Sequence, residues 1–328
     1  MTNIIKKSGW PFSYDTSNYH SIKPSKFEWH NGECDSSDVT VYFDLDHLGG
    51  FSNRGNGFKF LMDNFNNNKD RLRFLINGFN YNKDRLRFLL NGFSYNNSEH
   101  LSLQIVRHAS KNELKFLWLS ESRAITGKRY NHVLENADLF FEFYDAIFVH
   151  DREMIEKDNR FTYLPNGSNK HWIVDCGIHK KTKLVSMINS GKKMCKGHRA
   201  RNKITSQIND KVDLFGLLYN PIERKETALN DYMFSIALEN AQYETYFTEK
   251  ILDCFATGTI PIYWGAPDIG DYFNEDGIIK WNDNFDIEQL NKDLYFSKMD
   301  AIKDNFERCM NVISSEDLLY EEIIKFGL

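Results

Sequence analysis

Short apolar segments alternate with longer segments of mixed polarity along most of the chain, as strands alternate with helices. The pattern predicts strands at residues 39–43, 114–119, 146–150, 183–188, 212–215, 233–238 and 259–264. It predicts helices at residues 100–110, 199–208 and 248–256. Strands that alternate with helices form βαβ units, so we expect an α/β fold with parallel sheets.

A turn-rich segment, YLPNG at residues 163–167, interrupts this alternation near the middle of the chain. With 328 residues the chain is long enough for two domains. We therefore predict two Rossmann-type domains, residues 1–165 and 166–328, that face each other across a cleft. In such folds a ligand lies outside the carboxyl ends of the strands.

An internal duplication occupies residues 65–92, where FNNNKDRLRFLING is followed by FNYNKDRLRFLLNG. Two copies are fewer than the three units that a solenoid needs for a continuous core. Each copy ends in Asn-Gly, which favours a turn. We interpret the duplicated insert as a surface excursion without chemistry of its own.

The composition is that of a globular protein, with 41% hydrophobic and 27% charged residues. A net charge of −5 gives no reason to expect a nucleic-acid partner. The five cysteines are scattered and form no C-x-x-C pair, which disfavours a disulfide framework or a structural zinc site. No apolar stretch indicates a signal peptide or a transmembrane segment. We therefore expect a cytoplasmic protein, for which peripheral contact with a membrane stays open.

Polar residues cluster after the apolar segment that ends at residue 238. Glu239 comes first, Tyr246 follows in a loop, and Thr248 can cap a helix that begins with Glu249 and Lys250. The free N–H groups of a helix N-terminus suit a diphosphate, and Lys250 would add a full charge. The alternative is that Thr248 only caps the helix while Glu249 complements the helix dipole.

A basic segment, residues 179–203, carries nine Lys or Arg residues and no Asp or Glu. It predicts a strand, a Ser-Gly-Lys-Lys loop at residues 190–193, and a helix that bears Arg199 and Arg201. A glycine loop between a strand and a helix is a plausible phosphate cradle, and the alternative is a solvated basic face. The segment lacks the interleaved aromatic residues that RNA binding favours.

Three submotifs in the C-terminal part occur in order: F-x-x-x-x-E-N from Phe234 to Asn240, Y-x-T-E-K from Tyr246 to Lys250, and P-I-Y-W-G at residues 261–265. Together they resemble the signature of the family-10 glycosyltransferases, the α-1,3/4-fucosyltransferases, and especially their soluble bacterial members. The resemblance covers about residues 114–281.

The resemblance implies a GT-B fold that binds GDP-fucose in the C-terminal domain. It implies an inverting transfer to a hydroxyl of a glycan or glycolipid, with no essential metal ion. The residues that match the family motif imply that Arg201 and Lys250 hold the diphosphate. They also imply that Asn240, Tyr246 and Glu249 contact the ribose, the fucose or the base.

The family's general base is a Glu shortly after a strand of the N-terminal domain, in a segment similar to Y-T-G-E-N. Here KFLWLSES at residues 115–122 fills that place, which makes Glu121 the candidate base. Leu119-Ser120 replaces Thr-Gly, and Ser122 replaces Asn. A carboxyl group in a cleft can have its pKa moved towards the working range. The alternative is a solvent-exposed Glu at the end of a strand.

A competing site is Asp44-Leu45-Asp46, which follows the strand predicted at residues 39–43. A D-x-D after a strand is typical of metal-dependent glycosyltransferases and of haloacid-dehalogenase phosphatases. Asp271, Glu275 and Asp276 form a second acidic cluster. A D-x-D is a weak signal in a chain with 46 acidic residues, so we do not predict a catalytic metal there.

Two other functions stay open at this point. The fold is compatible with a transferase that uses another nucleotide sugar. It is also compatible with a protein that binds a sugar nucleotide or a glycan without catalysis, which the shortened N-terminal half suggests.

Overall fold

Two parallel sheets form the framework of the protein. The structure is a computed structural model that describes residues 114–208 and 211–326, together with three earlier strands. The first sheet contains β1 (Asn3–Ser8), β2 (Phe27–Asn31), β3 (Val39–Phe43), β4 (Leu114–Leu119), β5 (Ala146–Val149) and β6 (Thr162–Tyr163). The second sheet contains β7 (Lys183–Ile188), β8 (Asp213–Phe215), β9 (Tyr232–Leu238), β10 (Ile260–Trp264) and β11 (Ile279–Lys280).

Eight α-helices lie within the described residues. They are α1 (Arg123–Glu135), α2 (Ala137–Phe141), α3 (Arg152–Lys157), α4 (Lys196–Ile208), α5 (Glu249–Ala256), α6 (Lys292–Ser297), α7 (Met299–Met310) and α8 (Ser315–Ile323). None of these helices is long and apolar enough to cross a membrane.

The predicted α/β class and the two Rossmann-type sheets are confirmed. All seven predicted strands are present with bounds that differ by at most one residue. Helix α4 begins three residues before the predicted position at Arg199, because Gly197 N donates a hydrogen bond to Asn240 O and fixes the start of the helix. The duplicated insert, the helix predicted at residues 100–110, and Asp44 with Asp46 lie outside the described residues. The division at residue 165 stays a prediction.

The strand order places a ligand crevice in the second sheet. Its order is β11-β10-β9-β7-β8, and every described pair in it is parallel. After β7 the chain continues to β8 on one side of the sheet, and after β9 it continues to β10 and β11 on the other side. The loops that follow β7 and β9 therefore separate at the carboxyl edge of the sheet. Ligands of open α/β sheets bind at such a switch point. The loops after β7 and β9 carry the basic segment and the polar cluster, respectively.

The last helix returns to the first sheet. Leu319 and Ile323 of α8 are fully buried in one apolar cluster with Phe116, Trp118 and Phe148 of the first sheet. The preceding turn is tied down as well, because Ser315 Oγ donates to a backbone carbonyl in the segment between the sheets. The C-terminal end of the chain therefore packs against the N-terminal sheet.

The loop between β9 and α5 also contacts the first sheet. Thr245 Oγ1 donates to His150 O at 3.1 Å, and the rings of Tyr246 and His150 lie 5.3 Å apart. Thr245 has a φ of 61°, a conformation that costs energy for a β-branched residue. Two hydrogen bonds from Thr245 N to the Asp268 carboxylate, at 2.9 and 3.0 Å, stabilise it. This loop therefore fixes one half of the molecule against the other.

We expect Gly197→Ala to destabilise the protein. A Cβ at Gly197 would lie 1.8 Å from Glu239 O and 2.8 Å from Asn240 Cα, so the helix would have to move away from the β9 edge. Overpacking of this kind costs about 1–3 kcal/mol. Thermal unfolding followed by circular dichroism measures the loss.

Gly127→Ala is the matched control, because the nearest atom to its Cβ is Arg123 Cγ at 3.8 Å. Alanine has the higher helix propensity, so this variant should be neutral or more stable by up to about 1 kcal/mol. Equal melting temperatures for the two variants would contradict the close approach of α4 to β9.

Candidate active site

A cavity of about 570 Å³ lies at the carboxyl edge of the second sheet and reaches the loop after β4 of the first. Its lining includes all six residues that the sequence analysis selected: Glu121, Arg201, Asn240, Tyr246, Glu249 and Lys250. Arg199 is exposed and does not line the cavity. Residues far apart in the chain therefore meet at one site.

Glu239 anchors the start of helix α5 beneath the cavity. Its side chain is fully buried, Oε1 accepts a hydrogen bond from Thr248 N at 2.8 Å, and Oε2 accepts one from Thr248 Oγ1 at 2.7 Å. A carboxylate at a helix N-terminus is favoured by the helix dipole. Gly265 makes room for it, because a Cβ there would lie 2.6 Å from Glu239 Cγ. The motif residues Glu239, Thr248 and Gly265 are thus one packed unit.

A row of alternating charges runs along the first two turns of α5. Lys250 Nζ lies 3.3 Å from Glu239 Oε2 and 3.1 Å from Glu249 Oε1. Lys225 Nζ lies 3.8 Å from Glu249 Oε1 and 2.6 Å from Asp253 Oδ2. Each lysine therefore lies between two carboxylates, and Glu249 lies between the two lysines.

The protonation states of the side chains in this row follow from the alternation of carboxylates and lysines. Burial opposes the charge of Glu249, but Lys250 and Lys225 outweigh burial and lower its pKa to about 2. Burial prevails at the ends of the row, where it raises the pKa of Asp253 to about 6 and also raises the pKa of Glu239. Burial disfavours the Lys250 cation, but Glu239 and Glu249 overcome it and raise the Lys250 pKa. Glu249 and Lys250 are therefore both charged at neutral pH.

Arg201 reaches the cavity from helix α4. The guanidinium is buried, and its Nη2 donates to Asn240 Oδ1 at 2.9 Å. The amide of Asn240 is neutral, so this bond orients Arg201 without cancelling its charge. The predicted phosphate loop lies beside it, where Gly191 adopts a φ of 71° and Ser190 and Lys192 line the cavity. The two sides of the switch point thus contribute Arg201 and Lys250.

Tyr246 is buried beneath the cavity and joins its two sides. The ring is 1% exposed and packs against His150. Burial raises the pKa of Tyr246, and the carboxylates of Glu121, Glu239 and Glu249 raise it further. Its hydroxyl therefore stays protonated and lies among three acidic groups.

Glu121 lines the cavity from the first sheet, in the turn between β4 and α1. Its Oε1 accepts a hydrogen bond from Ser122 N at 2.7 Å. Burial raises its pKa above 4.5, while Ser122 N and Lys250 partly offset that rise. A half-buried carboxyl of raised pKa in a cavity has the character of a general base. The expectation of a fully exposed strand-end Glu does not describe this side chain.

Two buried side chains that the sequence analysis did not select hold the Glu121 backbone. Tyr130 Oη donates to Glu121 O at 2.9 Å, and His150 Nε2 lies 3.0 Å from Tyr130 Oη and 3.4 Å from Glu121 O. Burial lowers the pKa of His150 to about 4, so its ring is neutral at pH 7. His150 immediately follows β5. Its position at the carboxyl end of a strand was the feature of the sequence that could have indicated a site residue.

Lys225 and His198 also line the cavity and were not selected. Lys225 belongs to a single turn of 3-10 helix that precedes β9, and its ammonium lies 4.1 Å from the Trp172 ring centroid. Its partner Asp253 follows 28 residues later, so no local pattern indicates the pair. His198 lies in the first turn of α4. Its position inside the basic segment was the only feature of the sequence that pointed to this residue.

The second acidic cluster takes no part in the cavity. Asp271 and Glu275 belong to short 3-10 helices, and Glu275 is paired with exposed Lys280. Within the described parts of the chain, no group of three or more His, Cys, Asp or Glu side chains is arranged to hold a metal ion. Asp44 and Asp46 lie outside those parts.

Residues 178–311 match the family model described as Glycosyltransferase family 10 (fucosyltransferase) C-term. The matched segment contains all five strands of the second sheet and five of the six selected residues, with Glu121 outside it. This matched segment supplies the β7 and β9 sides of the cavity.

The chain is also similar to curated proteins. The α-(1,3)-fucosyltransferase FucT of Helicobacter pylori is 33% identical over 109 residues, which are 32% of this chain and 22% of that protein. The α-(1,4)-fucosyltransferase of Arabidopsis thaliana is 36% identical over 52 residues, which are 16% of this chain and 13% of that protein. Each alignment spans less than a quarter of the relative's length. A crystal structure of an α1,3-fucosyltransferase has a TM-score of 0.48 at 13% identity, covering 100% of this chain and 90% of that one.

We expect Glu239→Gln to lower the free energy of unfolding. The amide keeps the shape of the side chain but removes the charge that Lys250 and Thr248 contact. Breaking a buried ion pair costs about 3–5 kcal/mol, and the lower end applies because Lys250 keeps Glu249. Urea unfolding followed by circular dichroism measures the change.

The control for Glu239→Gln is Glu275→Gln, which removes the exposed ion pair with Lys280. Exposed pairs contribute about 0–1 kcal/mol. A loss for Glu239→Gln no larger than that of the control would show that Glu239 does not anchor the start of α5.

Proposed function

We propose that this protein is an inverting glycosyltransferase that moves fucose from GDP-fucose to a hydroxyl of a glycan or glycolipid. The observation that carries the proposal is that the six selected residues, from Glu121 to Lys250, line one cavity. The match of residues 178–311 to the family-10 model supports the donor class, as does the similarity to curated fucosyltransferases.

The donor diphosphate is proposed to lie between Arg201 and Lys250. Both side chains line the cavity, from the two loops that separate at the switch point. The N-terminus of α5 lies at the same edge and adds the positive end of a helix dipole. These groups stabilise the negative charge that develops on GDP as the sugar leaves, so the proposed chemistry uses no essential metal ion.

The ribose and sugar hydroxyls are proposed to meet Glu249, Asn240 and Tyr246. Glu249 is the carboxylate best suited to accept hydrogen bonds, because its pKa of about 2 keeps it ionised. Its position between Lys225 and Lys250 fixes the direction of its oxygens. Tyr246 and Asn240 are buried, so they offer their polar groups in fixed orientations.

Glu121 is proposed to be the general base on the acceptor side. As the acceptor oxygen forms its bond to the anomeric carbon, Glu121 takes the proton of that hydroxyl. The bond between the anomeric carbon and the phosphate oxygen breaks, and GDP leaves with the electron pair. Attack from the face opposite the diphosphate inverts the anomeric configuration, and Glu121 lines the cavity from the first sheet whereas the proposed diphosphate residues lie on the second.

We expect Glu121→Gln to abolish most of the transfer while leaving GDP affinity nearly unchanged. A general base contributes about 10²–10⁴-fold to the rate, and Gln cannot accept the proton. Released GDP measures turnover, and isothermal titration calorimetry measures binding. Because the pKa of Glu121 is raised, wild-type kcat/KM should fall as the pH is lowered through that pKa, where the carboxylate becomes protonated.

Glu142→Gln is the control for Glu121→Gln, because Glu142 is exposed at the end of α2 and outside the cavity. It should keep wild-type turnover and pH dependence. Normal turnover of Glu121→Gln would show that another group accepts the proton.

We expect GDP, but neither UDP nor CMP, to raise the melting temperature. A ligand that binds only the folded state stabilises it by about 2.7 kcal/mol at a concentration of 100 times its Kd. Differential scanning fluorimetry measures the shift. Arg201→Ala should remove most of it, whereas Arg199→Gln, which changes an exposed residue of the same helix, should retain it.

The other outcomes of this experiment select the alternatives. An equal or larger shift with UDP would indicate another donor on the same fold. If GDP raises the melting temperature but no fucose is transferred to any glycan or glycolipid acceptor, the protein binds a sugar nucleotide without catalysis.

A further inference from the structure

His198 is a buried histidine for which the described residues supply no hydrogen-bond partner. The residue lies in the first turn of α4, is 6% exposed, and lines the cavity. Its Nδ1 is buried, and no hydrogen bond joins this atom to another described residue. Such a group in a folded protein calls for an explanation, because buried polar atoms are normally satisfied.

Other buried histidines of the described residues show what a structural role looks like. His150 Nε2 lies 3.0 Å from Tyr130 Oη, and His171 Nδ1 lies 3.1 Å from Ile173 O. Each of these two rings is held by the protein through one nitrogen, although His150 Nδ1 also has no hydrogen-bond partner among the described residues. The ring of His198 has no comparable bond, although its backbone lies in a regular helix. Packing alone therefore does not account for a polar ring at position 198.

The orientation of the ring follows from the same facts. Because Nδ1 is buried, the ring meets the cavity through its other edge, which carries Nε2. A proton on Nδ1 would have no acceptor, so the neutral ring is better placed with its proton on Nε2. His198 thus presents an N–H donor to whatever occupies the cavity.

The cations around the His198 ring favour an anionic ligand. Burial lowers the pKa of His198 to about 4, and the cations Arg201, Lys192, Lys250 and Arg199 lower it further. The ring is therefore neutral at pH 7 in an electropositive part of the cavity. Arg201 lies three residues later on the same helix, so the two side chains are neighbours on one face. A ligand group bound by Arg201 lies within reach of His198.

We infer that His198 donates a hydrogen bond from Nε2 to the diphosphate of the bound nucleotide, as a neutral contact beside Arg201 and Lys250. The inference rests on the proposed function only for the presence of a nucleoside diphosphate. It adds a binding residue on the β7 side of the switch point. A neutral donor binds a phosphate oxygen without adding to the repulsion among the neighbouring cations.

The test compares His198→Phe and His198→Gln by isothermal titration calorimetry with GDP, UDP and guanosine. His198→Phe removes the donor and should weaken GDP binding about 10–100-fold, the range for a hydrogen bond to a charged group. His198→Gln keeps an N–H donor and should retain affinity within about threefold of the wild type. Guanosine lacks the diphosphate, so its binding should be unchanged in both variants. Arg199→Gln, in the same turn but exposed, should behave as wild type.

The outcomes separate this inference from the proposed function. If the wild type binds GDP and His198→Phe binds it equally well, the inference is wrong while the proposed function stands. If guanosine binding falls as much as GDP binding, His198 has only a structural role and the inference is also wrong. If the wild type binds no nucleoside diphosphate, both fail. Melting temperatures of the variants without ligand show whether each variant is folded.

Discussion

Glu239 is fully buried just beyond the end of β9, and its two carboxylate oxygens accept hydrogen bonds from the backbone and the hydroxyl of Thr248. The positions of the site residues on α5 depend on this contact. It fixes where α5 begins, and the start of α5 fixes Glu249 and Lys250 over the sheet edge. Since burial of an unpaired carboxylate is costly, the pairing with Lys250 is as much a condition of folding as of binding.

Close backbone approach is the second condition, and glycine meets it on both sides of Glu239. Gly265 leaves space for the Glu239 side chain, and Gly197 allows α4 to touch the Glu239 carbonyl. The contact of Gly197 N with Asn240 O brings Arg201 to within 2.9 Å of the Asn240 side chain. The β7 and β9 sides of the switch point are thus coupled through backbone contacts that a larger residue would break. This coupling explains how a cation from each side reaches one cavity.

The α5 side of the cavity could be predicted from the sequence because its signals are local. Thr248, Glu249 and Lys250 follow a capping pattern within a few residues, and the order of strands and helices places that cap at a sheet edge. The contacts that could not be predicted join residues far apart in the chain. Thr245 binds His150 across 95 residues, and Lys225 binds Asp253 across 28, with no local pattern at either end. Glu121 combines both cases. Its position directly after a strand is visible in the sequence, whereas the contacts of Tyr130 and His150 with its backbone carbonyl arise only in the folded state.

The charges of the site show how the cations differ. Lys250 lies between Glu239 and Glu249, and Lys225 lies between Glu249 and Asp253, so each lysine is largely neutralised by its own neighbours. Arg201 is hydrogen-bonded to the neutral amide of Asn240 instead, and Glu239 and Glu249 act on its charge without forming an ion pair with it among the described residues. The α4 side of the cavity therefore carries a cation that no carboxylate of the described residues contacts directly, whereas the members of the row of charges on α5 already hold one another in place. The two sides of the switch point thus present different electrostatic surroundings to the cavity.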